Sequence, residues 1–179
     1  ESKSDMVVSG WRIDLRKNSK TIKGYKHIRP KPDTIKGDSE QIKKYVLKSI
    51  GTDGTLYNLW NKLFRADIIK DNNITFNENI RFGEDTIFSL QYLSHLPKLT
   101  LIPNVTYHYL TNSAGSVFSQ SSLTVEYRLE NLEALKAYVG NVTDQQTHDL
   151  YAWVVSRWLL SYGMLISMSN IPYKDKVNR

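Results

Sequence analysis

Glu84 and Asp85 are adjacent carboxylates placed directly after Gly83, at the point where Ile87, Leu90 and Leu93 begin a helical apolar period. A glycine turn of this kind delivers both acids to the first turn of a helix, where negative charge is favoured by the helix dipole whatever else it does. The chemical reading is that one carboxylate is presented at the rim of a cleft as a general base. Adjacent acids at a helix start point in different directions, so one of the pair reaches a cleft; Asp85 is the candidate base and Glu84 its neighbour. Lys62 offers a cation for a substrate phosphate or for a surface acid. His108, between Tyr107 and Tyr109, offers a ligand, an acid or a hydrogen-bonded structural imidazole.

The rest of the composition narrows the chemistry by exclusion. The chain has no cysteine, which removes disulfides, thiolate metal sites and thiol catalysis. It shows no His-x-x-x-His pair, no carboxylate cluster at metal spacing, no glycine-rich phosphate loop, no serine elbow and no Rossmann fingerprint. With 40% hydrophobic and 23% charged residues over 179 positions, it suits one folded domain or a large part of a bigger one.

The net charge of +6 is concentrated in one place. Arg16, Lys17, Lys20, Lys23, Lys26, Arg29, Lys31 and Lys36 lie within one segment against a single acid, Asp33. Such a segment could face anionic lipid or phosphate, or simply be a solvated hairpin. No aromatic ladder for base stacking accompanies it, so nucleic acid is not an expected partner. The chain starts at Glu1 without a signal pattern, and is expected to be cut from a longer protein.

The elements that must position these residues read as follows. Met6 to Leu15 ends in alternation of Trp11, Ile13 and Leu15 against Arg12 and Asp14, which predicts a strand; Thr21 to Ile28 returns as its hairpin partner, and Pro30 and Pro32 stop the pairing. Asp38-Ser39-Glu40 caps a helix through Ile42, Tyr45, Val46 and Ile50, with Gly51 and Gly54 bracketing its exit. Leu56 to Phe64 admits either a helix or a short strand at Trp60 to Arg65. A short helix from Ala66 stops at Asn72-Asn73, and an extended lead over 74–82 reaches the glycine turn. The helix from Glu84 is expected to run to about His95. Leu99 to Ile102 and Val105 to Leu110 are expected as two β runs around a turn at Pro103-Asn104, followed by a polar loop, Asn112 to Ser116, with amides available to an anion. Two helices end the chain, one ending at Gly140 and one from about Thr143 through Ile166. The second is apolar almost all round, so it is either buried or in contact with a membrane; Arg157, its serines and Gly163 argue against a span.

The order of these pieces carries a resemblance. Trp60-Asn61-Lys62-Leu63-Phe64-Arg65, then Asn73-Ile74-Thr75-Phe76, then Arg81-Phe82-Gly83-Glu84-Asp85-Thr86-Ile87-Phe88, then Tyr107-His108-Tyr109 and a Ser/Gly loop resembles bacterial family-2 glycosyltransferases of the GT-A fold, notably those that build cell-surface polysaccharide. The resemblance covers about residues 5–118. It implies an α+β chain, part of an α/β GT-A fold, with a basic β-hairpin, a short mixed sheet and C-terminal helices. Residues 1–118 would be the C-terminal, acceptor-side part of a catalytic domain, and 119–179 a helical extension.

The activity implied is inverting transfer of a sugar from a nucleotide-sugar to a cell-surface glycan or lipid-linked acceptor. Asp85 would be the base, Glu84 would orient the acceptor or brace the turn, and Trp60, Lys62 and His108 would contact substrate. The family's nucleotide-binding half and its Asp-x-Asp motif have no counterpart here. A divalent Mg or Mn ion is therefore expected in the full-length enzyme only, with no metal ligands in this chain, and the 179-residue chain alone is expected to be inactive. The location implied is cytoplasmic, with peripheral contact at the inner membrane face. The alternative from another class is a non-catalytic binding or assembly module that keeps the same fold.

Overall fold

β1 (Met6–Lys17) is the strand on which the sheet is built. The structure, a computed structural model, describes residues 3–17, 21–36, 39–80, 83–112, 125–140 and 143–168. β2 (Thr21–Ile28) returns antiparallel along the distal half of β1, as the alternation predicts, and β4 (Lys62–Phe64) pairs antiparallel with its first residues, Val8 opposite Lys62. On the other side β5 (Lys98–Asn112) runs parallel to β1, and β3 (Asp33–Lys36) closes that edge antiparallel to β5.

Two local expectations change. The two β runs expected around Pro103-Asn104 are one strand. The register against β1 steps from Ser9 opposite Ile102 to Gly10 opposite Val105, so Pro103 and Asn104 are extra residues in a bulge, which accommodates a proline that cannot donate to the ladder. Residues 56–64 are neither a full helix nor a strand from Trp60: turns occupy most of the stretch and only Lys62–Phe64 is extended. Gly51 and Gly54 bracket the exit of α1 (Ser39–Thr52) as expected: a Cβ on Gly51 would come within 2.1 Å of the Trp153 ring, and Gly54 turns the chain at φ of 69°. The stop after α2 (Ala66–Asp71) is as expected, with Asn73 left-handed at φ 50°. The loop over 113–116, Arg81-Phe82 and the basic tail beyond 168 lie outside the described residues.

α3 (Glu84–Leu93) ends two residues earlier than expected. α4 (Val125–Val139) is followed by Gly140 at φ 63°, and α5 (Gln145–Met168) is capped by Asp144, whose Oδ2 accepts from the Thr147 N–H at 2.8 Å. α4 packs on α3 and α5 on α1. Leu135, Tyr138, Val139 and Val154 from these last helices share one buried cluster with Met6, Val8, Val46, Leu90, Leu99 and Leu101. Leu159, Leu160 and Met164 on α5 are exposed, and no helix among the described residues is long and apolar enough to cross a membrane.

Candidate active site at the start of α3

The backbone of the glycine turn is set by Gly83, which caps α3 at φ 85° and accepts the first helical hydrogen bond from Ile87 N–H at 3.1 Å. Only glycine holds this conformation without strain, and there is no room for a side chain: a Cβ would lie 2.1 Å from Nδ2 of the buried Asn131 on α4. Thr86 and Phe88, one turn on, are buried, so the helix start is clamped from both sides. Asp85 is half-buried here. Its burial, with the Glu84 charge next to it, pushes its carboxyl above the usual carboxylate value, and Lys62 pulls the other way.

Lys62 on β4 is the cation nearest in effect to Asp85, but its first task is local. An ammonium has three N–H donors. Those of Lys62 go to Thr55 O at 2.6 Å, to Asn61 Oδ1 at 2.8 Å and to Asn58 O. Burial of this head group pulls its pKa down to about 7, against the attraction of Asp85 and Asp53. Lys62 therefore organises the loop at 55–61 that faces α3, and acts on Asp85 through its charge. Ser89 Oγ of α3 adds a contact to this loop, donating to Tyr57 O at 3.4 Å.

The polar neighbour that sequence reasoning passed over is Asn61. Its Nδ2 donates to Ser9 O at 3.0 Å, while Ser9 N–H and Oγ donate to Asn61 O at 2.9 and 3.1 Å. This reciprocal pair fastens the loop to β1 and explains a nearly fully buried asparagine beside Lys62. Its signal in the sequence was the awkward placing of two polar residues in an apolar run.

Trp60 and His108 do not meet. The Trp60 ring stacks on Tyr107, with centroids 4.4 Å apart, and on Tyr109 at 5.6 Å, with Trp11 set edge-on at 4.8 Å. His108 lies between those two tyrosines on β5 and so projects from the other face, where it meets Arg12 and Asp14. Glu84, Asp85 and Lys62 thus form one neighbourhood, Trp60 lies beside it in chain order within an aromatic stack, and His108 stands apart. A groove of about 520 Å³ between α1 and α5, lined by Tyr45, Lys48 and Trp153 among others, includes none of these residues. Among the described residues no three His, Asp or Glu side chains converge as a metal ligand set would.

This mixed sheet with its helices is the fold of part of a glycosyltransferase domain. The crystal structure of Staphylococcus aureus TarS 1-349 in complex with UDP-GlcNAc matches 97% of this chain and 46% of its own, with a TM-score of 0.54 at 14% identity, and the complex with UDP matches with a TM-score of 0.51 at 12% identity. In sequence, the chain is 23% identical over 87 residues to the poly(ribitol-phosphate) beta-N-acetylglucosaminyltransferase TarS of S. aureus strain MW2, covering 49% of this chain and 15% of that protein. It is 33% identical over 58 residues to a poly(ribitol-phosphate) beta-glucosyltransferase of Bacillus spizizenii, 32% of this chain and 9% of that one. The chain thus spans less than a sixth of the length of these relatives and under half of the solved structures. No protein-family profile matches it.

Proposed function

We propose that this chain is the acceptor-side portion of an inverting, family-2-type glycosyltransferase, with Asp85 as general base. The observation that carries the reading is Asp85 itself, a half-buried carboxylate of raised pKa held in the first turn of α3 by a glycine that admits no side chain. A base of this kind takes the proton of an acceptor hydroxyl as the oxygen attacks the anomeric carbon of a nucleotide-sugar; the nucleoside diphosphate leaves with the bonding pair, and attack from the opposite face inverts the centre. Glu84 raises the proton affinity of Asp85, and the Lys62 charge opposes that rise. Trp60 is the acceptor-side aromatic in this reading. A divalent Mg or Mn ion held elsewhere in the full-length protein would neutralise the departing nucleoside diphosphate.

The acceptor class follows the relatives whose names specify poly(ribitol-phosphate), and the donor class follows the solved complexes with UDP-GlcNAc and UDP. The 179-residue chain alone is expected to be inactive. In the full-length protein, Asp85→Asn is expected to abolish sugar transfer while leaving nucleotide-sugar affinity unchanged. Turnover that survives the substitution refutes the base assignment. A wild-type protein that binds acceptor but transfers nothing would instead be a non-catalytic module of the same fold.

A further inference from the structure

The sheet face opposite Trp60 carries a second constellation, which the base and its loop do not use. In the strand register Arg12 of β1 lies beside His27 of β2 on one side and His108 of β5 on the other, so three nitrogen-bearing side chains form a row across three strands. Arg12 Nη2 lies 3.1 Å from His108 Nδ1, and Arg29 Nη2 lies 3.2 Å from His27 Nδ1. A guanidinium only donates, so Nδ1 is the accepting atom of each imidazole in these contacts, and Nε2 lies at the ring edge away from its arginine.

Asp14 sets the row from beneath. It is 4% exposed and receives Arg12 through Nε at 2.7 Å and Nη2 at 2.9 Å, and its Oδ2 lies 3.6 Å from His108 Nδ1. The Arg12 guanidinium holds the Asp14 carboxyl below the usual carboxylate value. One carboxylate thus fixes one guanidinium in the plane of the sheet, while His27, Arg29 and His108 remain exposed.

We propose that this row is a binding surface for the phosphodiester groups of an anionic polyol-phosphate acceptor. The proposal rests on the glycosyltransferase reading for its choice of ligand, and on its own geometry for the site. Adjacent strands lie about 4.8 Å apart, so the row extends about 10 Å, wide enough for an extended chain rather than a single phosphate. Arginine forks and imidazole N–H groups on a flat strand face suit phosphate oxygens, and a run of fixed cations raises the local concentration of a polyanion.

The test is calorimetric binding of lipid-free poly(ribitol-phosphate) to the full-length protein at low and moderate salt, for wild type and a His108→Ala/Arg29→Ala double variant. Both side chains are exposed, and equal thermal midpoints establish that both proteins are folded. The double variant is expected to bind about tenfold more weakly, the scale of a charge-assisted contact, and with a shallower salt dependence. Equal affinity and equal salt dependence overturn the proposal, as does a wild type that fails to bind the polymer. Binding only to phosphatidylglycerol vesicles, with none to the free polymer, also overturns it and assigns the patch to a membrane surface. If polymer binding falls as expected while Asp85→Asn retains transfer, the surface stands and the base assignment falls.

Discussion

Gly83→Ala tests whether the carboxylate turn is held by the packing of α4 or merely by local helix geometry. Two costs add in this substitution. A residue with a Cβ at φ 85° loses about 1 to 2 kcal/mol in a left-handed conformation. The new methyl would also stand 2.1 Å from Asn131 Nδ2, 2.6 Å from Oδ1 and 2.7 Å from Cγ, and Asn131 is buried, so its amide has no solvent to swing into. Overpacking of this kind costs about 1 to 3 kcal/mol, for a combined loss of roughly 2 to 5 kcal/mol. Asn131→Ala removes all three of the crowding atoms. In that background Gly83→Ala should therefore show only the conformational cost, and the two substitutions should couple by about 1 to 3 kcal/mol. Urea unfolding of the wild type, both single variants and the double variant measures the coupling, provided that the denaturant slope is unchanged. A coupling within about 0.5 kcal/mol of zero refutes the argument, because distant independent sites add to that accuracy. In the full-length enzyme Gly83→Ala should also lower kcat by up to about 100-fold if the turn shifts by an ångström.

The other expectations concern the same neighbourhood and the core behind it. Asp85 must be ionised to accept a proton, so the acid limb of kcat/KM should lie above the ordinary aspartate value of 3.8, and Lys62→Met should move it further up by removing the one charge that opposes the shift. Because the folded-state pKa of Asp85 is raised, its ionisation weakens the fold as pH climbs through that value, and Asp85→Asn should match or exceed wild-type stability in urea at neutral pH while losing activity. Lys62 has the opposite sense: with a folded value of about 7 against 10.5, the unfolded chain holds more protons between those limits, so wild-type stability should rise with pH across that window relative to Lys62→Met. Tyr92→Phe should cost about 1 to 3 kcal/mol in thermal or urea unfolding, since the fully buried hydroxyl donates to Asp5 O at 2.6 Å and accepts from Arg65 N–H at 2.9 Å.

Much of the local structure follows from residue order. The alternation of Trp11 and Ile13 against Arg12 and Asp14 determined a strand, the return from Thr21 to Ile28 matched its partner's bounds, and Gly83-Glu84-Asp85 determined a helix start with two acids in its first turn. These signals are short-range, carried by side-chain period and by the few residues that tolerate special dihedrals. β3 gave no such signal: it is four residues long, and it exists because β5 offers an edge 66 positions away, with Thr34 opposite Thr100. The bulge at Pro103-Asn104 was legible as an irregularity, but only the neighbouring parallel strand makes it an insertion rather than a turn.

The site divides in the same way. Residue type and spacing singled out Asp85, Glu84, Lys62, Trp60 and His108, because carboxylates, cations, indoles and imidazoles are recognisable wherever they stand. Which of them share a space is a matter of strand parity and long-range packing, and the sequence by itself does not contain it. Tertiary structure put Lys62 within electrostatic reach of Asp85, engaged its donors on loop carbonyls, seated Asn131 against Gly83, and turned His108 to the face opposite Trp60. Apart from the local bonds of Lys62, each of those placements joins segments far apart in the chain, and only the folded sheet and its helices bring such segments together.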